Sequence, residues 1–447
     1  MKPAYTLIHG QGQISALVAL GFFAMGMIAF PVVLGLLAAF PDLFTGDPYR
    51  LETLSFITFV VLGFVCPFLF GCHYAVSSLL TGSSLWSQPI AVIHIALHGI
   101  GLIWMMATFG GRDFMQHTET GLLIGGLLIL AGIGLMVLNS LVTANRLSRW
   151  EPPNITVACS LFWLTVLVAL GFALVINHPL PFLGHDPVRL LELHVTLALG
   201  GFLWMGLLGM ALKLFTVFLP GATAPGALSW TGCIVINTAL LLMLPLLMIE
   251  PAWSGWLAGA VLVGGLFYFA DIVRLLYRSR KGMSPGIIGA LGGIIGGLVL
   301  TGFLVVSPPP LMDPSLPDLR GYLASVTGIA ILVCAPLVLL GFGMRMIPFL
   351  VWRIRCMPLI GYYKQPHAGF FSDKRGEAGC ILGLAAGTLY TVAAFHEAAP
   401  AGFQIAALCL LIGTVYFWYA VGPALRVFLL GIYPEKPTEK STIEPLS

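Results

Sequence analysis

The sequence predicts an all-α integral membrane protein with about twelve transmembrane helices, and two observations lead to this fold class. Of the 447 residues, 58% are hydrophobic and only 9% are charged, whereas soluble domains carry about 25% charged residues. Apolar runs of about 20 residues, enough to cross a hydrocarbon core as a helix, also recur along almost the whole chain. A water-soluble protein is therefore excluded. The runs are too long and too uniformly apolar for barrel strands, so helices are expected.

Glycine, proline and charge clusters divide the chain into twelve predicted spans. They lie at 13–40, 53–80, 88–109, 121–144, 156–177, 190–219, 228–250, 254–277, 286–306, 321–351, 378–396 and 402–430. The first span is longer than the apolar core of a signal peptide, so we expect it to be retained. Residues 433–447 are rich in Pro, Lys and Glu and are predicted to form a disordered cytoplasmic tail after a membrane domain at 1–432.

Basic residues indicate how these spans are oriented. If the N-terminus is inside, 17 of the 21 Lys and Arg residues fall on inner segments and 4 fall outside. This positive-inside bias predicts a multi-pass protein of the cell inner membrane with both termini in the cytoplasm. The net charge of +3 follows from this topology and does not indicate nucleic acid binding. The lipid bilayer is the expected partner.

Similar short segments precede three of the helices that run from the outer face to the inner face. Gly46–Glu52 precedes span 2, His185–Glu192 precedes span 6, and a weaker version, Leu316–Arg320, precedes span 10. The arginines of these segments are 139 and then 131 residues apart, or four spans each time. Asp-Pro turns with an acid at the helix start would also suit simple anchoring. The sequence predicts three pseudo-repeats of four helices, at roughly 1–150, 151–285 and 286–432.

This architecture resembles the haem-copper oxidase subunit I superfamily, which includes the large subunits of cytochrome c and quinol oxidases and of nitric oxide reductases. The best local similarity lies in Leu51–Gly82, Leu190–Gly221 and Gly321–Leu350. The resemblance implies a respiratory-chain or nitrogen-oxide context with membrane partner subunits. It also implies haem and copper ligated by histidines on the second, sixth, seventh and tenth helices.

Most of the ligand positions of that family hold other residues in this chain. Residues 52–55 on the second helix read Glu-Thr-Leu-Ser, the tenth helix has Ser325 and Thr327 in place of two His, and 231–237 on the seventh contains no His. Only His194, on the sixth helix, stands where a copper ligand is expected. We therefore predict that the chain is not a competent oxygen reductase. One haem b, one copper or no cofactor is expected, and whether the chain is an enzyme stays open.

Polar residues around the loop before span 6 are a candidate metal site. His178, His185, Asp186, Glu192 and His194 lie within seventeen residues of one another. Imidazoles with nearby carboxylates could bind copper, zinc or non-haem iron, or could relay protons at the outer face. The alternative is an outer loop of solvated side chains, because this spacing fits no compact ligand template.

A second candidate site lies within the membrane. His94 and His98 are four residues apart and project from one face of span 3, and His73 on span 2 lies toward the same side of the membrane. Ionisable groups inside a membrane are costly and often functional. They could form a b-type haem pocket or a proton route. They could equally form hydrogen bonds across a helix interface.

Two other classes of function compete with the oxidase-like interpretation. A transporter or permease could have evolved such repeats independently, and the scarcity of charges within the spans favours a small neutral or apolar cargo over an ion. A non-catalytic scaffold or assembly subunit could instead hold a partner through the outer loops.

Overall fold

The computed structural model describes residues 5–43, 51–81, 85–110, 118–147, 150–177, 187–219, 226–249, 254–279, 282–307, 325–357, 371–397 and 399–431. Over these ranges every regular element is a helix, and twelve helices are long and apolar enough to cross a membrane. The prediction of an all-α, multi-pass membrane protein is confirmed. The tail at 433–447, the whole of Leu316–Arg320 and most of Gly46–Glu52 lie outside the described residues, whereas His185–Glu192 is described from Pro187 onward.

Nine of the twelve spans are uninterrupted helices in the described part of the chain. They are span 1 (Tyr5–Ala39), span 3 (Gln88–Gly110), span 4 (Thr118–Ala144), span 5 (Pro152–Asn177), span 7 (Ala227–Ile249), span 8 (Ser254–Arg278), span 9 (Pro285–Val306), span 11 (Lys374–Glu397) and span 12 (Pro400–Leu430). Local sequence explains several ends. Ser284 caps span 9 by accepting a hydrogen bond from the Ile287 amide, with Pro285 at the first helical position. Gly431, at φ 66°, ends span 12.

The other three spans, 2, 6 and 10, each contain a π-helical segment. Span 2 consists of Leu51–Phe59, the π segment Val60–Val65 and Cys66–Thr81. Span 6 consists of Pro187–Thr196, the π segment Leu197–Trp204 and Met205–Phe218. Span 10, Ser325–Arg355, contains the π segment Ala330–Cys334. A π turn is rare and widens the helix locally, often at functional sites. The sequence analysis did not predict these segments.

Spans 2, 6 and 10 are also the three most buried helices. In their most apolar stretches, 61%, 72% and 94% of the residues are buried, against 56% or less in any other span. These three spans contact one another. The remaining nine therefore surround them and carry most of the lipid-facing surface, where single apolar side chains such as Ile103 and Leu382 are exposed.

The surrounding helices pack in a repeating order. Spans 3 and 4, 7 and 8, and 11 and 12 form tightly packed pairs, and spans 1, 5 and 9 each pack against the central span that follows them. Between these groups of four, span 4 contacts span 5, span 8 contacts span 9, and span 12 contacts span 1. The contacts thus close into a ring.

Each of the three tight pairs has one hydrogen bond at an equivalent place. The amide just before the first helix of the pair donates to a residue on the second helix. These bonds join Ser87 to Asn139 Oδ1 at 3.0 Å, Gly226 to Asp271 Oδ2 at 2.9 Å, and Asp373 to the Ala420 carbonyl at 2.9 Å. Asp271 also accepts from the amide and hydroxyl of Ser229. Each bond satisfies an N–H at a helix start.

A glycine lies seven residues before each of these three acceptors and lets the paired helices approach closely. A Cβ placed at Gly132, Gly264 and Gly413 would lie 3.4, 3.0 and 3.1 Å from the carbonyl oxygens of His94, Gly232 and Cys380. Small residues permit such close backbone contact in membrane helix pairs. The three pairs therefore share a helix register as well as a hydrogen bond.

A buried ion pair joins spans 9, 10 and 11 near the predicted cytoplasmic ends. Glu377 is fully buried, and its Oε2 lies 3.3 Å from Arg345 Nη2 and accepts from the Gly286 amide at 3.4 Å. The Ser372 hydroxyl donates to Oε1 at 2.6 Å. Arg345 Nε in turn donates to the Ser284 hydroxyl at 2.9 Å. The carboxylate is thus fully hydrogen-bonded, as a buried charge requires.

Candidate functional site

The three intramembrane histidines lie together among spans 1 to 4. His94 and His98 are fully buried and His73 is 5% exposed. The ring centroids of His94 and His98 are 6.1 Å apart, because the two residues are one helical turn apart on span 3. His73 reaches the same region from span 2.

Protein partners define the protonated nitrogens of two of these imidazoles. His98 Nε2 donates to the Leu62 carbonyl at 2.8 Å, since a carbonyl can only accept. His73 Nε2 lies 2.8 Å from the Ser140 hydroxyl, which donates its own proton to the Met136 carbonyl. His73 must therefore be the donor to Ser140. The acceptor of His98, the Leu62 carbonyl, lies in the π segment of span 2. Within a membrane, such a backbone carbonyl needs a donor from the protein itself.

Tyr74 connects the histidines of the two helices. Its hydroxyl is 2.9 Å from His94 Nδ1, and its ring centroid is 5.7 Å from that of His73. The remaining ring nitrogens are Nδ1 of His73, Nε2 of His94 and Nδ1 of His98, and they have no hydrogen-bond partner among the described residues. Each imidazole thus has one bonded and one unbonded nitrogen.

Aromatic side chains fill the space around the two span 3 imidazoles. Phe22 lies 4.9 and 6.0 Å from the ring centroids of His94 and His98, and Phe70 lies 5.0 and 5.5 Å from them. The unbonded nitrogens are enclosed by protein atoms. A haem iron would need an open position about 2 Å from such a nitrogen, so a haem does not fit here in this arrangement.

Polar groups continue from His73 toward the predicted cytoplasmic ends of spans 3 and 4. Next to Ser140 on span 4, Asn139 exchanges hydrogen bonds of 2.7 and 3.0 Å with the backbone of Ser87. Thr143 accepts from the Trp86 amide at 2.9 Å, and the Trp86 side chain is exposed. Polar atoms therefore extend from the surface to the middle of the first four spans.

The predicted outer metal site is only partly within the described residues. His178, His185 and Asp186 lie outside them, as does the side chain of Glu192. His194 lies on span 6, hydrogen-bonded to the backbone of Leu167 on span 5, and a Cβ at Gly171 would be 2.7 Å from its ring. Its Nδ1 has no partner in the described part of the chain. Over the same residues, no three His, Cys, Asp or Glu side chains form a group that could bind a metal ion.

A second polar cluster lies among spans 5, 7 and 8. The Thr156 and Tyr268 hydroxyls are 2.5 Å apart. Asn237 accepts from Trp163 Nε1 at 2.9 Å, and its amide lies 3.5 Å from Cys233 Sγ. The thiols of Cys159 and Cys233 also interact. This cluster is not predictable from the sequence, because its members are far apart in the chain and form no CxxC pair.

A cavity of about 170 Å³ lies among spans 6 to 10. Two of the π segments contribute to its wall, through residues such as Gly200 and Leu203 on span 6 and Ala330 on span 10. None of the residues that line it is charged. It is separate from the histidines of spans 2 and 3.

Two partners of the histidines, Tyr74 and Ser140, were also missed from the sequence. Tyr74 directly follows His73, which was a usable signal because a buried phenol needs a hydrogen-bond partner. Ser140 carries no such signal, since serines often face a neighbouring membrane helix.

Comparisons with known proteins add no relative: no family model matches the chain, and no curated protein is significantly similar to it in sequence.

Proposed function

We propose that the chain is built on the plan of haem-copper oxidase subunit I, as three units of four spans, that it does not reduce oxygen, and that its first unit carries protons. The repeating helix contacts support the plan. So does the presence of a π segment in spans 2, 6 and 10 only, within the described residues. The matched amide bonds and glycines of the three tight pairs give further support, because unrelated helices would not share a register.

That shared register aligns residues of different chemistry. The seventh residues of spans 3, 7 and 11 are His94, Cys233 and Cys380, and the eleventh are His98, Asn237 and Leu384. The same place thus holds two imidazoles in the first unit, a thiol and an amide in the second, and a thiol and an aliphatic side chain in the third. We infer that the units have diverged, with the polar function concentrated in the first.

The lost ligand positions are the reason to exclude oxygen reduction. In the resembled family the second unit supplies copper ligands from the seventh helix, whereas this chain has Cys233 and Asn237 there. Ser325 and Thr327 replace the haem histidines of the tenth helix, and neutral hydroxyls bind iron poorly. His194 alone could supply an imidazole to the second unit.

Cofactor content tests this part of the proposal. Purified in mild detergent, the protein should hold at most one haem or one copper per chain and consume no oxygen with an added reductant. The visible spectrum, metal analysis and an oxygen electrode measure these quantities. If a metal is found, His194→Ala should lose it while His396→Ala, at an exposed position, should keep it. One haem together with one copper, with oxygen uptake, would contradict the proposal.

The proton route is carried by one observation: Tyr74 is hydrogen-bonded to His94 at 2.9 Å, and the rings of His73 and His98 lie next to this pair. The centroid distances are 5.7 Å from His73 to Tyr74 and 6.1 Å from His94 to His98. Imidazoles and phenols both accept and donate protons. Ser140 and Asn139 extend this series toward the predicted cytoplasmic face. The Leu62 carbonyl ends it in the middle of span 2.

Exchange of the imidazole protons with deuterium tests the route. In protein labelled with ¹⁵N-histidine, we expect the Nε2–H signal of His98 to disappear after transfer into D₂O, because protons pass along the series. Tyr74→Phe keeps the ring but removes the hydroxyl that is hydrogen-bonded to His94. In that variant the His98 signal should persist at least about tenfold longer, while that of His73 is unchanged. Solid-state NMR resolves the Nε2–H signals of His73 and His98.

Exposed His396 provides the internal control, since it should exchange at once in both proteins. A His98 proton that does not exchange in the wild type, or that exchanges equally fast in Tyr74→Phe, would show that the imidazoles only hold helices together.

Transport of a small neutral or apolar molecule is the second candidate function. The cavity among spans 6 to 10 favours it, because an uncharged space within the membrane suits such a cargo. Movement of solute into sealed liposomes would test transport directly, and its absence would leave the first proposal unaffected.

A further inference from the structure

We infer that the cavity among spans 6 to 10 is a binding site for a small neutral apolar molecule, of about the size of a benzene ring, that dissolves in the bilayer. The inference deepens the second candidate function by naming the class of ligand. It concerns binding alone, so it can hold even if no transport occurs.

The chemistry of the wall determines the class of ligand. Most lining side chains are aliphatic, including Leu199, Leu240 and Val261. Three threonines and Trp204 also line the cavity: Thr196, Thr301 and Thr327 are the threonines. The Thr301 hydroxyl donates to the Gly297 carbonyl of its own helix at 2.8 Å, and Trp204 Nε1 is a single donor without a hydrogen-bond partner among the described residues. A stable buried water needs two to four polar partners, and apolar cavities stay dry. A charged or strongly polar ligand would lose its hydration here without replacement.

The volume of the cavity indicates the size of ligand that would fill it. Its volume is about 170 Å³, and an engineered apolar cavity of about 150 Å³ in another protein binds benzene or xenon. A haem or a quinone head group with its tail is much larger. The space therefore suits one small molecule.

The helix geometry explains why this space is open. The π segments of spans 6 and 10 both border the cavity, and each widens its helix by one residue per turn. Trp204, at the end of the span 6 segment, has its indole against Gly297 of span 9, where a Cβ would lie 2.3 Å from the ring. Because Gly297 has no side chain, the indole lies against span 9, and the space next to it is left unfilled. The cavity is thus a product of backbone shape rather than of missing side chains alone.

Xenon is a suitable probe, because it is apolar, of fitting size and visible by anomalous diffraction. In crystals of the full chain exposed to xenon, we expect an anomalous peak in the cavity. Ala258→Leu, which adds three carbons to the wall, should abolish that peak. Ala393→Leu is the matched control, since Ala393 is exposed on span 11 and outside the cavity.

A second variant keeps the inference testable if Ala258→Leu does not fold. Leu240→Ala enlarges the cavity from a fully buried position, so xenon occupancy at a fixed pressure should rise. The inference is overturned if xenon binds elsewhere but not in the cavity, if the peak survives in Ala258→Leu, or if electron density shows the end of a lipid acyl chain already in place.

Discussion

Replacing Arg345 with methionine should destabilise the protein by about 3–5 kcal/mol, the usual cost of leaving one member of a buried ion pair without its partner. Glu377 has no exposed surface, whereas the Arg345 side chain is 20% exposed. The variant would leave the carboxylate with only the Ser372 hydroxyl and the Gly286 amide as donors. Loss of folded protein on heating in detergent, followed by size-exclusion chromatography, measures the effect.

A double variant separates the charge from the packing. Arg345→Met with Glu377→Gln removes both charges while keeping an amide of similar size that can still accept from Ser372. It should recover most of the stability lost in the single variant. Equal destabilisation of the single and double variants would show that the arginine acts through its contacts, including the bond to Ser284, and not through its charge.

Gly293→Leu should be the most disruptive substitution at a glycine of span 9. A Cβ there would meet the Cys334 carbonyl at 2.6 Å and the Val338 amide at 2.9 Å, both backbone atoms of span 10 that cannot rotate away. Overpacking a close contact costs about 1–3 kcal/mol and sometimes more, and here span 9 would have to separate from the central span 10. We expect loss of most folded protein.

The adjacent residue supplies a matched control. Gly292 also lies on span 9, but a Cβ there has nothing within 4 Å. Gly292→Leu changes helix propensity and hydrophobicity in the same way, so it should fold as the wild type does or slightly better. If both variants fold equally well in the same melting assay, spans 9 and 10 do not pack as described.

The sequence predicted those features that depend on composition and on spacing along one helix. Twelve apolar runs gave twelve spans, since the need to cross a hydrocarbon core is recorded in local hydropathy. The closeness of His94 and His98 followed from their four-residue spacing. Neither inference required any knowledge of how the helices pack.

Features that depend on contacts between distant helices were not predictable in this way. The bond from His73 to Ser140 joins residues 67 positions apart, and Asp271 meets an amide 45 positions earlier in the chain. Such contacts depend on the depth and rotation of one helix against another. Asp271 and Arg274 are one helical turn apart and form an ion pair at 3.6 Å, which their spacing alone allows. The bonds from Asp271 to the start of span 7 have no such signal in the local sequence.

The π segments were missed for a related reason. A turn of this kind needs no characteristic residue, and Val60–Val65 reads as ordinary apolar helix. Its presence follows from the balance between one strained turn and the packing gained by the rest of the helix. Only the surroundings of the whole span determine that balance.

The wide turn in span 2 also fixes the angular position of everything that follows it. Each α-helical residue turns the chain by about 100° and advances it by about 1.5 Å. If the same residues instead formed a regular α-helix through 60–65, the lower half of the span would turn by roughly that angle, so His73 would face away from Ser140. The Leu62 oxygen would then accept from an amide of its own helix, which would leave His98 without an acceptor. The hydrogen bonds of His73 and His98 thus both depend on the wide turn at Val60–Val65.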